Sequence, residues 1–304
     1  MTPLAFLLVL GSAGLHATWN MIAKRSGASL AFYGMLALVG FLWSSGVHFF
    51  TPLQFLEMPP AFFAWLAGMA AAEMAYAVGL HLSYRTLDMS VAYPMMRSLP
   101  LLFLAAITSV FGFGKPLEPH ALAGMAMVFA GCLAIPLRSF SDFRPSLYFN
   151  RNFVFILLVA LGTTGYTLCD SQAQHVMRAA AEADGVAVSR PLLSLTYYSF
   201  RATALCAVLW TVVLCSRRSR ADAAELWRRR SPMPFIAGLC SSTTYILVLV
   251  AMNFASNVSY IQAFRQVGLL FGLAEAVFFL KERCTAPKLL GTLLILAGLA
   301  VSVL

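Results

Sequence analysis

Two arginines stand inside apolar stretches in matching frames. The first frame is Val91-Ala-Tyr93-Pro-Met-Met-Arg97-Ser-Leu-Pro-Leu-Leu-Phe103. The second is Val258-Ser-Tyr260-Ile-Gln-Ala-Phe-Arg265-Gln-Val-Gly-Leu-Leu-Phe271, one residue longer before the arginine. An arginine at the centre of a bilayer costs about 2.5–3.5 kcal/mol on insertion scales. Its planar fork of donors fits a carboxylate or phosphate in two-point contact. Arg97 and Arg265 are therefore the leading candidates to bind an anionic small molecule. The competing reading is internal pairing, Arg97 with Glu73 or Arg265 with Glu275. The two readings are compatible, because a ligand can displace the ion pairs that hold an empty site together. The slip of one residue predicts that the two arginines do different jobs.

Helical spacing sorts the remaining polar residues into faces. His16 and Asn20 lie four apart in the first apolar run and could hydrogen-bond a ligand or a neighbouring helix. Glu73 and Tyr76 share a face in Ala71-Ala-Glu73-Met-Ala-Tyr76. Tyr166, Asp170 and Gln174 form another face, and Tyr197 with Arg201 a further one. Gln262, Arg265 and Glu275 share a broad stripe. Tyr93 and Tyr260 occupy equivalent places in the two frames. A carboxylate held in apolar surroundings is a candidate to take up a proton, so Glu73, Glu275 and Asp170 are the candidates for proton coupling. Arg201 could line a cavity or brace its helix. There is no Gly-x-x-x-x-Gly-Lys phosphate loop, no His-Glu-x-x-His, and no histidine pair four apart. No cofactor, metal or catalytic residue is expected.

The chain has 304 residues, 60% of them hydrophobic and 11% charged. Soluble domains carry roughly 25% charged residues, so an all-α integral membrane protein of many spans is expected, with the bilayer and a small-molecule ligand as its partners. The formal net charge of +9 concentrates in short connections. It speaks for orientation in the bilayer rather than for nucleic acid. The six cysteines show no Cys-x-x-Cys spacing and read as packing residues.

Apolar runs of about 20 residues predict ten spans, near 3–23, 30–50, 60–83, 89–112, 120–138, 152–173, 193–215, 233–254, 257–280 and 286–304. The halves share a register. Gly124-Met-Ala-Met-Val-Phe-Ala-Gly131 matches Gly291-Thr-Leu-Leu-Ile-Leu-Ala-Gly298, and Tyr93 to Tyr260 keeps the same separation of 167. Two repeats are expected, 1–140 and 150–304, of five helices each. An odd number of spans per repeat inverts the second in the membrane, with a ligand site near the midplane where the repeats meet. Lys and Arg distribution places Lys24, Arg25 and the six arginines between 217 and 230 on the cytoplasmic side, and both termini outside.

Three stretches resemble the drug/metabolite transporter superfamily, in its EamA type of ten-helix carriers. They are Leu15-His-Ala-Thr-Trp-Asn20-Met-Ile-Ala-Lys24, the run Leu280-Lys-Glu282-Arg283 leading into the last glycine frame, and Ser199-Phe-Arg201. The sequence departs from that pattern at Lys115-Pro116, where the family commonly has Glu-Arg. The resemblance covers nearly the whole chain. It implies a multi-pass carrier of the bacterial inner (plasma) membrane rather than an enzyme. Such a carrier would work by alternating access on a small organic solute with an anionic group. That solute would be an organic acid, amino acid, phosphonate or phosphorylated metabolite. The third, fourth, eighth and ninth spans are expected to line the cavity, helped by the first and sixth. A membrane-embedded enzyme would need a clustered acid/base pair near one interface. A non-transporting scaffold would need its buried charges only to pair.

Overall fold

The computed structural model describes residues 2–26, 29–86, 89–113, 116–271 and 285–302. Within them the chain is helical, without strands. Its α-helices are α1 (Pro3–Ser26), α2 (Leu30–Ser44), α3 (Pro60–Thr86), α4 (Met89–Phe111), α5 (Pro119–Ala134), α6 (Pro145–Tyr148), α7 (Phe153–Ala183), α8 (Arg190–Cys215), α9 (Arg217–Arg228), α10 (Met233–Met252), α11 (Val258–Phe264) and α12 (Ala286–Val301). Prolines open several of them in the first turn, where their missing N–H is no loss. Ser29, Ser189 and Ser216 cap α2, α8 and α9 by accepting from backbone amides.

Seven segments are long and apolar enough to cross a membrane: those in α1, α3, α4, α7, α8 and α10, and α2 together with the 3-10 turn that continues it to Phe49. The chain is a multi-pass integral membrane protein. Large apolar side chains such as Leu7, Leu42, Leu161, Phe235 and Leu293 stand exposed, as a lipid-facing surface requires. Helices α5 and α12 have 16 residues each, roughly 24 Å at 1.5 Å per residue, short of a straight crossing of about 30 Å. The expected ninth span is described only to Phe271, and Glu275 lies outside the described residues.

Two expected boundaries move. Helix α7 runs on to Ala183, well past the expected end near 173, because the polar residues of its last turns find protein partners. The polar stretch 217–230 is mostly helix. Its Glu225 pairs with Arg229 at 3.0 Å and with Arg228 at 3.5 Å, and Arg220 Nη1 donates to the Leu214 carbonyl at the end of α8. Outside the spans, the Tyr148 hydroxyl donates to the Leu133 carbonyl at 2.6 Å. Burial pushes that phenol's pKa up.

The main packing partners come from opposite halves of the chain: α1 with α10, α2 with α8, α3 and α4 with α7, and α5 with α12, while α4 also meets α11. Glycines permit the closest approaches. A Cβ on Gly124 would fall 2.4 Å from the Gly298 carbonyl oxygen, and one on Gly298 would fall 2.5 Å from that of Gly124. Gly131 and Gly291 oppose each other in the same way, at 2.6 and 2.7 Å. On α7, a Cβ on Gly162 would fall 2.7 Å from the Ala72 carbonyl oxygen of α3.

Helices α4 and α11 are irregular where they meet. Pro94 and Pro100 lie inside α4, and a helical proline removes a donor and crowds the carbonyl four residues back. Helix α11 stops at Phe264. There Gln266 N bonds to Ala263 O and Gly268 N to Arg265 O, both tight i,i+3 bonds of 3.0 and 3.1 Å. Helix resumes over 267–271.

Candidate functional site: a buried arginine cluster beside a central cavity

Asp170 on α7 is fully buried, and an ionised carboxylate there must be surrounded by donors. Four bonds meet it. Tyr197 of α8 donates to Oδ1 at 2.5 Å, Tyr245 of α10 donates to Oδ2, and Arg201 Nε of α8 lies 3.3 Å from both oxygens. Tyr197 and Arg201 reach the same carboxylate because a spacing of four puts them on one face of α8. The other edge of Arg201 donates from Nη2 to Glu73 of α3 at 2.6 Å. The Glu73 side chain keeps 17% of its exposure, which leaves it in touch with the cavity.

Arg265, 4% exposed, closes this group from the other side. Both guanidiniums stand over the Tyr245 ring, Arg201 at 4.2 Å and Arg265 at 6.0 Å, measured from each Cζ to the ring centroid. A cation over an aromatic face gains about 0.5–2 kcal/mol. Arg265 Nη1 has Gln262 Oε1 at 3.4 Å, a long contact within one helical turn. Among the described residues, no carboxylate lies within 4.0 Å of Arg265. Arg201 is thus shared by two carboxylates, whereas Arg265 has neutral oxygens as its partners, Gln262 Oε1 and the Tyr166 hydroxyl.

Arg97 has a different use, and the expected pairing with Glu73 is not formed. Glu73 belongs to Arg201 because α3 packs on α7 and α8 rather than squarely on α4. Arg97 Nη2 donates to the Arg265 carbonyl at 2.8 Å, and Nη1 meets His16 Nε2 at 3.0 Å. The exchange is mutual: Gln266 Nε2 donates to the Arg97 carbonyl at 2.8 Å. Each irregular helix therefore satisfies a backbone carbonyl of the other with a side chain. His16 is held in turn by Trp19, whose Nε1 donates to Nδ1 at 3.1 Å.

A cavity enclosing about 740 Å³ of empty space, some of it open solvent, adjoins the cluster. Its polar lining includes His16, Tyr33, Glu73, Tyr198, Arg201 and Arg265. The Tyr33 hydroxyl is buried and has no hydrogen-bond partner among the described residues. A smaller cavity of about 380 Å³ shares His16, Tyr76 and Tyr166 and reaches Asn20, Arg97 and Gln262. The second and seventh spans contribute more to the larger cavity than expected. The fourth reaches only the smaller one, through Met96 and Arg97.

The structure thus brings together Glu73, Asp170, Tyr166, Arg201, Arg265, Gln262 and His16. Asn20 lines the smaller cavity but donates to the backbone of its own helix, His16 O, at 2.8 Å. Tyr260 lies elsewhere, packed against the cluster formed by Leu101, Phe264 and Ile295. Tyr93 is described in its backbone only. Tyr245, Tyr198 and Tyr33 were not expected at the site. The polar run Ser241-Ser-Thr-Thr-Tyr245 inside an apolar helix was the available signal for the first of them. Among the described residues, no three His, Cys, Asp or Glu side chains are grouped to hold a metal ion.

No protein-family model and no curated protein matches the chain. A solved structure, described only as a crystal structure of a protein, superposes on 98% of this chain and 96% of its own with a TM-score of 0.68 at 15% identity. At that identity the likeness is one of fold.

Proposed function

We propose that the chain is a secondary carrier for a small organic anion, in which Arg265 receives the anionic group and Tyr33 and His16 shape the pocket around it. One observation carries this reading. Arg265 is buried beside a cavity with no carboxylate within ion-pair distance among the described residues, while its neighbour Arg201 is balanced by two. A buried cation left unbalanced is costly, and an incoming carboxylate, phosphate or phosphonate would relieve that cost. The unpartnered Tyr33 hydroxyl adds a further unused donor.

The architecture proposed for this carrier is ten spans in two inverted repeats, moving by alternating access in a bacterial inner membrane with the arginine-rich α9 on the cytoplasmic face. Several features support it. Helices α2 with α8 and α5 with α12 pair equivalent members of the two halves, the pair α1 with α10 is the counterpart of α3 with α7, the glycine frames of α5 and α12 cross antiparallel, and two irregular helices meet beside the cavity. Broken helices at mid-membrane are tolerated where they are buried in protein or line a cavity. Of the candidate proton carriers, Glu73 is favoured, since it touches the cavity while Asp170 is sealed.

The test is a thermal-shift screen of the purified protein against small dicarboxylates, amino acids, phosphonates and sugar phosphates. A ligand at 100 times its Kd stabilises the folded state by about 2.7 kcal/mol. Arg265→Gln is expected to abolish the shift, and Arg265→Lys to restore part of it. Unchanged affinity in Arg265→Gln would remove the anion-binding role. Proton coupling predicts that Glu73→Gln flattens the pH profile of uptake. A profile identical to that of the parent would clear Glu73.

A further inference from the structure

A second polar cluster lies beyond the cavity. The lining residues of α8 run from Tyr198 to Leu209, toward its C-terminal end, and those of α10 stop at Tyr245. At the opposite end, past the layer of Tyr197, Asp170 and Tyr245, the side chains of α7, α8 and α10 are tied together. Asn253, at the end of α10, is the knot. Its Nδ2 donates to Ser194 Oγ of α8 at 2.5 Å and to the Leu249 carbonyl at 3.0 Å. Ser194 Oγ donates to Gln174 Oε1 of α7 at 2.8 Å. Two arginines converge on the same residue from outside: Arg178 of α7 donates to Asn253 Oδ1, and Arg190 Nη1 of α8 donates to its carbonyl at 3.1 Å.

Two cations thus meet on one neutral residue, Arg178 on its side-chain oxygen and Arg190 on its main-chain carbonyl. No carboxylate stands within 4.0 Å of either among the described residues. Glu182, one turn beyond Arg178, acts on it only at longer range. Arg178 Nε is buried with no hydrogen-bond partner, so one donor of its fork is unspent. Arg190 is exposed, and water can reach the pair. An oxyanion would add Coulombic attraction to both guanidiniums, which a neutral amide oxygen does not supply. An oxyanion placed between two guanidiniums would therefore outcompete an amide oxygen.

We propose that Arg178, Arg190 and Asn253 form an anion-operated latch. A soluble carboxylate or phosphate-type anion that takes the two guanidiniums releases Asn253, and with it the end of α10, from α7 and α8. The cavity then opens at the end where this structure seals it. The proposal rests on the carrier reading, but it concerns different residues and a different readout from the Arg265 site.

Spin labels at Asp184, after α7, and Ser256, after α10, both exposed, report the separation directly when the six native cysteines are replaced. Double electron–electron resonance is measured in lipid-free detergent at constant ionic strength. Asn253→Ala is expected to add a longer-distance population without ligand. Inorganic phosphate is expected to add the same population in the parent, but not in the Arg178→Gln/Arg190→Gln pair. Unchanged distances in Asn253→Ala, with the protein still folded by its melting temperature, would overturn the latch. Opening by Asn253→Ala but not by phosphate would overturn its control by an anion. A response to phosphatidylglycerol but not to phosphate would assign the anion to a lipid headgroup and overturn the soluble-ligand assignment. Unchanged anion affinity in Arg265→Gln with the latch response intact would overturn the central site alone.

Discussion

At the scale of residues, three arginines, two buried and Arg97 half-buried, do three jobs, and partners decide which. Arg201 is a structural cation, Arg97 braces backbone, and Arg265 lines the cavity with neutral partners only among the described residues. Removing one partner of a buried ion pair costs about 3–5 kcal/mol because the other charge is stranded. Asp170→Asn is therefore expected to lower the melting temperature sharply, since it also weakens the acceptor for two phenols. A melt within error of the parent would show that Arg201 is balanced by Glu73 alone. Arg97→Gln is expected to cost about 1.5–3 kcal/mol, the range for hydrogen bonds to charged groups, yet to leave anion affinity within a few-fold. Lost affinity with an unchanged melt would reverse the assignments of Arg97 and Arg265. The two frames made both arginines visible in the sequence. Their partners were not visible, because these depend on how each helix is rotated and on which helices are neighbours. Glu73 lies nearer in sequence to Arg97 but bonds Arg201, 128 positions away.

At the scale of elements, the helices were legible wherever apolar runs are long, and less so where polar residues are paid for by protein partners. The extra turns of α7 carry Gln174 and Arg178, which hydropathy reads as an exit to water and the structure ties to α8 and α10. Helix α9 was hidden by its arginines, which suit an exposed helix as well as a loop. The glycine frames offer a clean test of packing. Ala is about 1 kcal/mol better than Gly in a helix interior, so Gly→Ala is stabilising wherever space exists. Gly14 has nothing within 4 Å of a built Cβ, and Gly14→Ala is expected to hold or raise the melting temperature. Gly124→Ala is expected to lower it, because its Cβ would meet the Gly298 carbonyl oxygen at 2.4 Å. Equal behaviour of the two variants in the same detergent would argue that α5 and α12 do not touch as described.

At the scale of the whole molecule, the internal register of 167 residues led to the expectation of two repeats, but said nothing of how largely residues 1–140 and 150–304 pack on each other. Each long helix of residues 1–140 has its main partner in residues 150–304. Fragments covering the two ranges, expressed together, are accordingly expected to copurify as a folded unit, while either alone is degraded. A stable, helical fragment from one half alone would show that each half has a sufficient core. The crossing of α5 and α12 has a consequence for inheritance as well. A bulky side chain in a core can be accommodated when a neighbour becomes smaller, so two positions can drift together. Here the obstacle to any side chain at Gly124 or Gly131 is a carbonyl oxygen, which every amino acid carries. No second substitution at Gly298 or Gly291 can take that atom away, so each of the four glycines must be kept on its own account.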